Sequence, residues 1–115
     1  MGQPWRRGTI VWAALDPATG REQGGRRPVV VVAADAYLEV VDTLTIVVPV
    51  TSVERGWPNH VALTGPTGLA RPSWAMTEQP RTIARTRVVG VAGQVDRDTG
   101  AAIDRWLADF LSLHP

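Results

Sequence analysis

The fold is decided by one stretch near the N-terminus, RRGTIVWAALDPATGREQGGRRPVVVVAA, residues 6–34. Thr9 to Leu15 is rich in β-branched and aromatic side chains and is closed off by Gly8 before it and Asp16-Pro17 after it. That pattern predicts a strand. Asp16 to Arg27 carries Pro17, Gly20, Gly24 and Gly25, the punctuation of a loop. Pro28 to Ala34 is apolar at every position. Such a run needs cover on both faces, which predicts an interior strand. Its leading proline costs nothing, because a first position need not donate to the ladder.

Working outward, Asp35 to Val41 predicts a short helical turn, and Leu44 to Ser52 a third strand in which Pro49 predicts an edge position or a bulge. Val53 to Asn59 reads as a second exposed loop, holding Arg55, Gly56, Trp57 and Pro58. Short strands are expected at His60 to Leu63, at Ser73 to Thr77 and, after a turn through Arg81 to Arg87, at Val88 to Val95. The last element differs in kind. Ile103, Trp106, Leu107, Phe110 and Leu111 recur at three- and four-residue spacing, the mark of an amphipathic helix. Asp96 or Asp98 is placed to cap its start. Of the tryptophans, Trp12, Trp74 and Trp106 fall in strand or helix patterns and are expected in the core, whereas Trp57 is expected to be exposed. These elements make a mainly β chain with a C-terminal helix, a small bent sheet or barrel with the helix packed against it. No repeat or linker divides residues 1–115, so a single domain is expected.

Composition narrows the chemistry. The chain has 115 residues, 44% of them hydrophobic and 20% charged, as expected of an ordinary globule rather than a disordered tail. No apolar run approaches the ~18–20 residues of a membrane span, and the first residues lack the apolar stretch of a secretion signal. With no cysteine, disulfides, thiolate metal sites and cysteine nucleophiles are excluded. His60 and His114 are too far apart in sequence for a helical metal pair. A cytoplasmic protein with no structural metal and no cofactor is the expectation. All twelve basic residues are arginine, and they are unevenly spread. Residues 35–54 hold four acids and no arginine, whereas 55–95 hold five arginines and one acid. A fold that gathers the basic segments on one face would bind anions.

Three segments could carry chemistry. In EQGGRRP, residues 22–28, the glycines free the backbone to turn tightly, and Arg27 is biased toward extended backbone by Pro28. A guanidinium at the mouth of a rigid strand suits a phosphate, since it offers a fork of donors and stays charged; a glycine-rich turn with solvated arginines is the plainer alternative. Thr51-Ser52 ends the third strand, where hydroxyls can donate to phosphate oxygens or merely stop a strand. In TEQPRTIAR, residues 77–85, Glu78 is a lone carboxylate among arginines, either an ion-pair partner or a general base. Trp57 could stack on an unpaired base. There is no serine–histidine–acid set, no P-loop and no helix-turn-helix pair.

Taken together, RRGTIVWAALDPATGREQGGRRPVVVV at 6–32, VVPVTS at 47–52, PNHV at 58–61, EQPRTI at 78–83 and a closing helix ending in FLSL resemble the MazF/PemK family of toxins from bacterial toxin–antitoxin systems. The resemblance implies an SH3-like barrel of the MazF/PemK/CcdB type that works as a homodimer. It further implies metal-independent, sequence-specific cleavage of single-stranded RNA, held off by a cognate antitoxin through an acidic, partly disordered segment. Arg27 and Thr51 match the positions where similar toxins place their main catalytic groups. Glu22, Gln23, Gln79 and Arg81 match further motif positions. Met76 stands where some members carry an arginine, and Arg21 where some carry a histidine, so the Arg27–Thr51 version of the mechanism is the one that transfers.

In that chemistry the ribose 2′-OH attacks the adjacent phosphate, leaving a 2′,3′-cyclic phosphate and a 5′-OH. Arg27 would stabilise charge on the phosphorane oxygens, Thr51 would orient the phosphate, and Glu22 or Glu78 would accept the proton. Gln23, Arg26, Ser52, Arg55, Trp57, Gln79 and Arg81 are the candidate RNA-binding residues. The rival expectations are a gyrase-poisoning toxin of the same barrel type and an interaction module without catalysis.

Overall fold

The computed structural model describes residues 5–15 and 25–113. Along the chain lie β1 (Thr9–Ala13), β2 (Arg27–Val31), α1 (Asp35–Val40), β3 (Leu44–Thr51), β4 (His60–Ala62), β5 (Trp74–Met76), β6 (Arg81–Ala84), a 3₁₀ turn (Arg85–Arg87), β7 (Val88–Gln94) and α2 (Arg97–Leu111). The strands form one seven-stranded antiparallel sheet in the order β4-β5-β3-β2-β1-β7, with β6 also on β3. The mainly β chain with a closing helix is therefore as the sequence predicts.

Its centre is β2 and the apolar residues that follow it, Pro28 to Ala34. Val29 and Val31 point to one side and pack with Val11, Val47, Leu38 of α1 and Ile83 of β6. Val30 and Val32 point to the other and pack with Ile10, Val48, Ala75 of β5, and Ile103 and Leu107 of α2. An all-apolar strand is what this double cover requires, because successive side chains alternate between faces.

Four expectations need correction. The turn expected over Arg81 to Arg87 contains β6, whose Arg81, Thr82, Ile83 and Ala84 pair with Val47 back to Leu44. Only Ile83 in that strand is buried, so its hydrophobic signal is a single residue deep. Of the edge position or bulge expected at Pro49, the bulge is absent and the edge is only local: β3 as a whole is interior, between β2 on one side and β5 and β6 on the other. Proline is accommodated because β6 pairs only as far as Val47 and β5 begins at Val50, leaving a local edge with no ladder donor required. Trp12, Trp74 and Trp106 are only partly buried, and the tryptophan in the core is Trp5. Finally, α2 buries Ile103 and Leu107 but leaves Phe110 47% and Leu111 55% exposed, so its apolar stripe outruns the sheet.

The two ends of the sheet meet through a loop. No strand pairing joins β7 to β4 or β5 among the described residues. Instead the loop after β4 lies along β7: Gln94 N–H donates to the Pro66 carbonyl (3.0 Å) and Asp96 N–H to that of Thr64 (2.9 Å). The approach is so close that a Cβ on Gly68 would stand 1.9 Å from the Ala92 carbonyl oxygen. Asp96 then caps α2, accepting from Thr99 N–H at 2.9 Å and from the Thr64 hydroxyl at 2.6 Å. Those bonds hold its carboxyl below the usual value. No helix among the described residues is long and apolar enough to cross a membrane.

Candidate active site

β2 and β3 are antiparallel with Val29 opposite Pro49, Val30 opposite Val48 and Val31 opposite Val47. Arg27 lies two residues before Val29 and Thr51 two residues after Pro49, so both leave the paired region at the same end. Both line one groove of about 440 Å³, walled by Trp12, Pro28, Pro49 to Val53, Leu69 to Arg71, Ser73 and Met76. Arg27 begins its strand and is exposed, while the strand behind it is fully buried at Val29 and Val31. Its backbone is thus fixed by the core and its guanidinium is presented to solvent. The Thr51 hydroxyl accepts from Val53 N–H at 3.1 Å, which leaves its own proton free to donate. Ser52 lines the groove beside it. No carboxylate of the described residues lines it, so a phosphate entering here meets donors and positive charge.

Glu78 lies elsewhere, at the far end of the β4–β5 pair. Its carboxylate accepts from Asn59 Nδ2 (2.7 Å) and Gln79 Nε2 (3.2 Å) and is bonded to His60 Nε2 (3.1 Å). Burial works to raise its pKa, but the bonds from His60, its own backbone and Gln79 together outweigh burial and hold the carboxyl below its ordinary value. His60 is buried, and its Nδ1 has no partner among the described residues. The His60 contact accords with the ion-pair reading of Glu78, though through histidine rather than the arginines of its own segment. Trp57 is 49% exposed, as expected, and stacks on His60 with ring centroids 4.6 Å apart.

The remaining candidates divide in the same way. Arg26 sits over the Trp12 ring at 5.8 Å, beside the groove. Arg55, Gln79 and Arg81 do not line it; Arg81 is exposed on β6, opposite Val47. Glu22 and Gln23 lie outside the described residues. Trp12, Leu69 and Arg71 were not among the residues expected at the site, and Met76 was noted only as a departure from the family pattern; all four line the groove. One signal was present, since Arg71-Pro72 shortly before β5 repeats the arginine–proline step that marked Arg27-Pro28 before β2.

Known proteins of similar sequence and fold place the chain in a family. Residues 6–111 match the family described as the PemK-like, MazF-like toxin of type II toxin–antitoxin systems. The chain belongs to this family. It is 38% identical over 114 residues to endoribonuclease MazF9 of Mycobacterium tuberculosis, covering 94% of this chain and 97% of that one. Endoribonuclease EndoA of Bacillus subtilis is 30% identical over 110 residues, with 94% and 95% covered. Among solved structures, a MazE–MazF crystal structure from Deinococcus radiodurans superposes with a TM-score of 0.80 at 30% identity, covering 95% of this chain and 96% of that chain. The MazF-like fold is thereby shown, with the sheet ends joined by loop contacts rather than by a closing strand pair.

Proposed function

We infer that this chain is an endoribonuclease toxin that cleaves single-stranded RNA without a metal and is neutralised by a cognate antitoxin. The observation that carries the reading is the single groove shared by Arg27 and Thr51. RNA supplies its own nucleophile: the 2′-OH attacks phosphorus, the bond to the 5′-oxygen breaks, and 2′,3′-cyclic phosphate and 5′-OH ends result. The protein has only to hold the phosphate, stabilise its added charge and move a proton. The Arg27 guanidinium stabilises the phosphorane oxygens, and the Thr51 hydroxyl donates to one of them. A guanidinium, which keeps its proton in proteins, cannot take the 2′-proton. Glu22 is the acceptor to test first, because the bonds to Asn59, His60 and Gln79 occupy Glu78 and make it a weaker base.

The relatives named endoribonucleases support the activity, and the MazE–MazF complex supports an antitoxin partner. An acidic, partly disordered segment suits a groove rich in arginine, and such binding weakens as salt rises. A homodimer accords with β7, the terminal strand of the sheet, which exposes Val89 (49%) and Val91 (51%) on its outer face. The test is incubation of the purified chain with long single-stranded RNA in EDTA, followed by mapping of the ends. Defined cuts bearing cyclic phosphates support the reading. Intact RNA alongside inhibited gyrase favours the gyrase-poison alternative, and no effect on either favours an interaction module.

A further inference from the structure

We propose that Arg71 is a second phosphate-binding residue of the groove, holding a backbone phosphate of the RNA other than the one that is cut. The inference rests on the nuclease reading and extends it. Arg71 lines the same groove as Arg27, and its guanidinium has no hydrogen bond or ion pair among the described residues. An arginine left unneutralised beside another, with no described carboxylate in the groove, is spare binding capacity for a polyanion. Its place is fixed by backbone rather than by its own side chain. Ser73 Oγ donates to the Arg71 carbonyl at 3.0 Å, and Pro72 restrains the residue before it. Upstream, Gly68 in the loop and, opposite it, Gly93 of β7 let the two backbones lie hard against each other just before Leu69 to Arg71 reach the groove. The same groove is also lined by Trp12, Leu69 and Met76, apolar side chains available to a base while neighbouring phosphates are gripped. A strand bound at two phosphates is held in line, whereas one bound at the scissile phosphate alone can pivot.

The experiment measures cleavage by wild type, R71A and R71K on a set of RNA strands of increasing length around one cut site, at several salt concentrations. For R71A, KM should rise roughly tenfold on long strands, as expected for loss of a charge-assisted contact. The penalty should shrink to about twofold on a strand with no phosphate beyond the scissile one, and kcat should fall less than about threefold. The salt dependence of binding should lose about 0.7 from its log–log slope, one phosphate's share for a single strand. R71K, which keeps the charge, should restore that slope. A KM and slope unchanged in R71A while wild type cuts RNA overturn the role of Arg71 and leave the nuclease reading standing. So does a penalty equal at every length, which would mark a structural effect. A wild-type chain inert toward every strand overturns the nuclease reading itself.

Discussion

Replacing Gly68 by alanine tests the loop contact that closes the sheet, and Gly56 supplies the control. Both glycines have positive φ, +72° and +75°, so an alanine at either is held in left-handed backbone. That conformation costs an L-residue about 1–2 kcal/mol. At Gly56 nothing lies within 4 Å of the added Cβ, and the dihedral cost is the whole of it. At Gly68 the Cβ would fall 1.9 Å from the Ala92 carbonyl oxygen and 2.8 Å from its carbon. Backbone on β7 cannot swing aside as a side chain does, so loop or strand must shift, at a further cost of about 1–3 kcal/mol. With about 4 °C of melting temperature per kcal/mol for a domain of this size, G56A should lower Tm by about 4–8 °C and G68A by about 8–20 °C. Thermal unfolding followed by circular dichroism gives both numbers. Equal losses in the two variants would refute the argument, for they would mean that the loop of residues 64–69 does not press on β7.

Arg27→Ala should reduce kcat by roughly 10²–10³, the cost of removing a transition-state donor, with Tm unchanged because the side chain is exposed; cleavage of defined oligonucleotides at saturating substrate checks it. Thr51→Val should also lose activity while Thr51→Ser, which keeps the hydroxyl, retains most of it. Glu78, with its carboxyl held below the ordinary 4.5, stabilises the fold fully above that pH and loses the contribution as pH falls through its lowered value. Melting curves from pH 3 to 7 should therefore show E78Q less stable than wild type at neutral pH, with the difference closing in acid. Ile103→Ala empties a fully buried site and should cost about 2–5 kcal/mol, whereas Leu111→Ala, on the exposed end of the same helix, should change stability by less than about 0.5 kcal/mol.

How far the fold was legible in the sequence depended on the depth of each signal. Pro28 to Ala34 announced an interior strand because both of its faces are covered, and Asp96 announced the start of α2 through its capping bond. β6 was hidden because Ile83 is its only buried residue, and Arg81 and Thr82 read as turn-like when their pairing with Val47 and Ile46 is unknown. Trp5 and Trp12 show the limit of local pattern. Trp5, outside any strand, is buried against the core, and Trp12, in the middle of one, lies at a groove, because only the packing of distant elements decides which face is covered. For the candidate site, an arginine before a proline at a strand mouth drew attention to Arg27, which lines the groove; the same step recurs at Arg71-Pro72, and Arg71 lines it too, from a loop far from β2 in sequence.

The position of the groove follows from how β3 spends its length. Its first half pairs with β6 and its last residues with β5, on the same flank, while β2 holds the other. A strand that exchanges partners cannot keep a continuous ladder there, and Pro49, lacking an N–H, sits where none is needed. Past that break the β2–β3 pairing has ended, and residues on either side of the opening line one groove. Those residues are Arg27 at the mouth of β2 and Thr51 at the end of β3, with Ser73 and Met76 flanking β5's entry and exit. Their side chains belong to neither apolar cluster of the core. A discontinuity in the sheet thus accounts at once for the tolerated proline and for an opening that an arginine and a threonine both line.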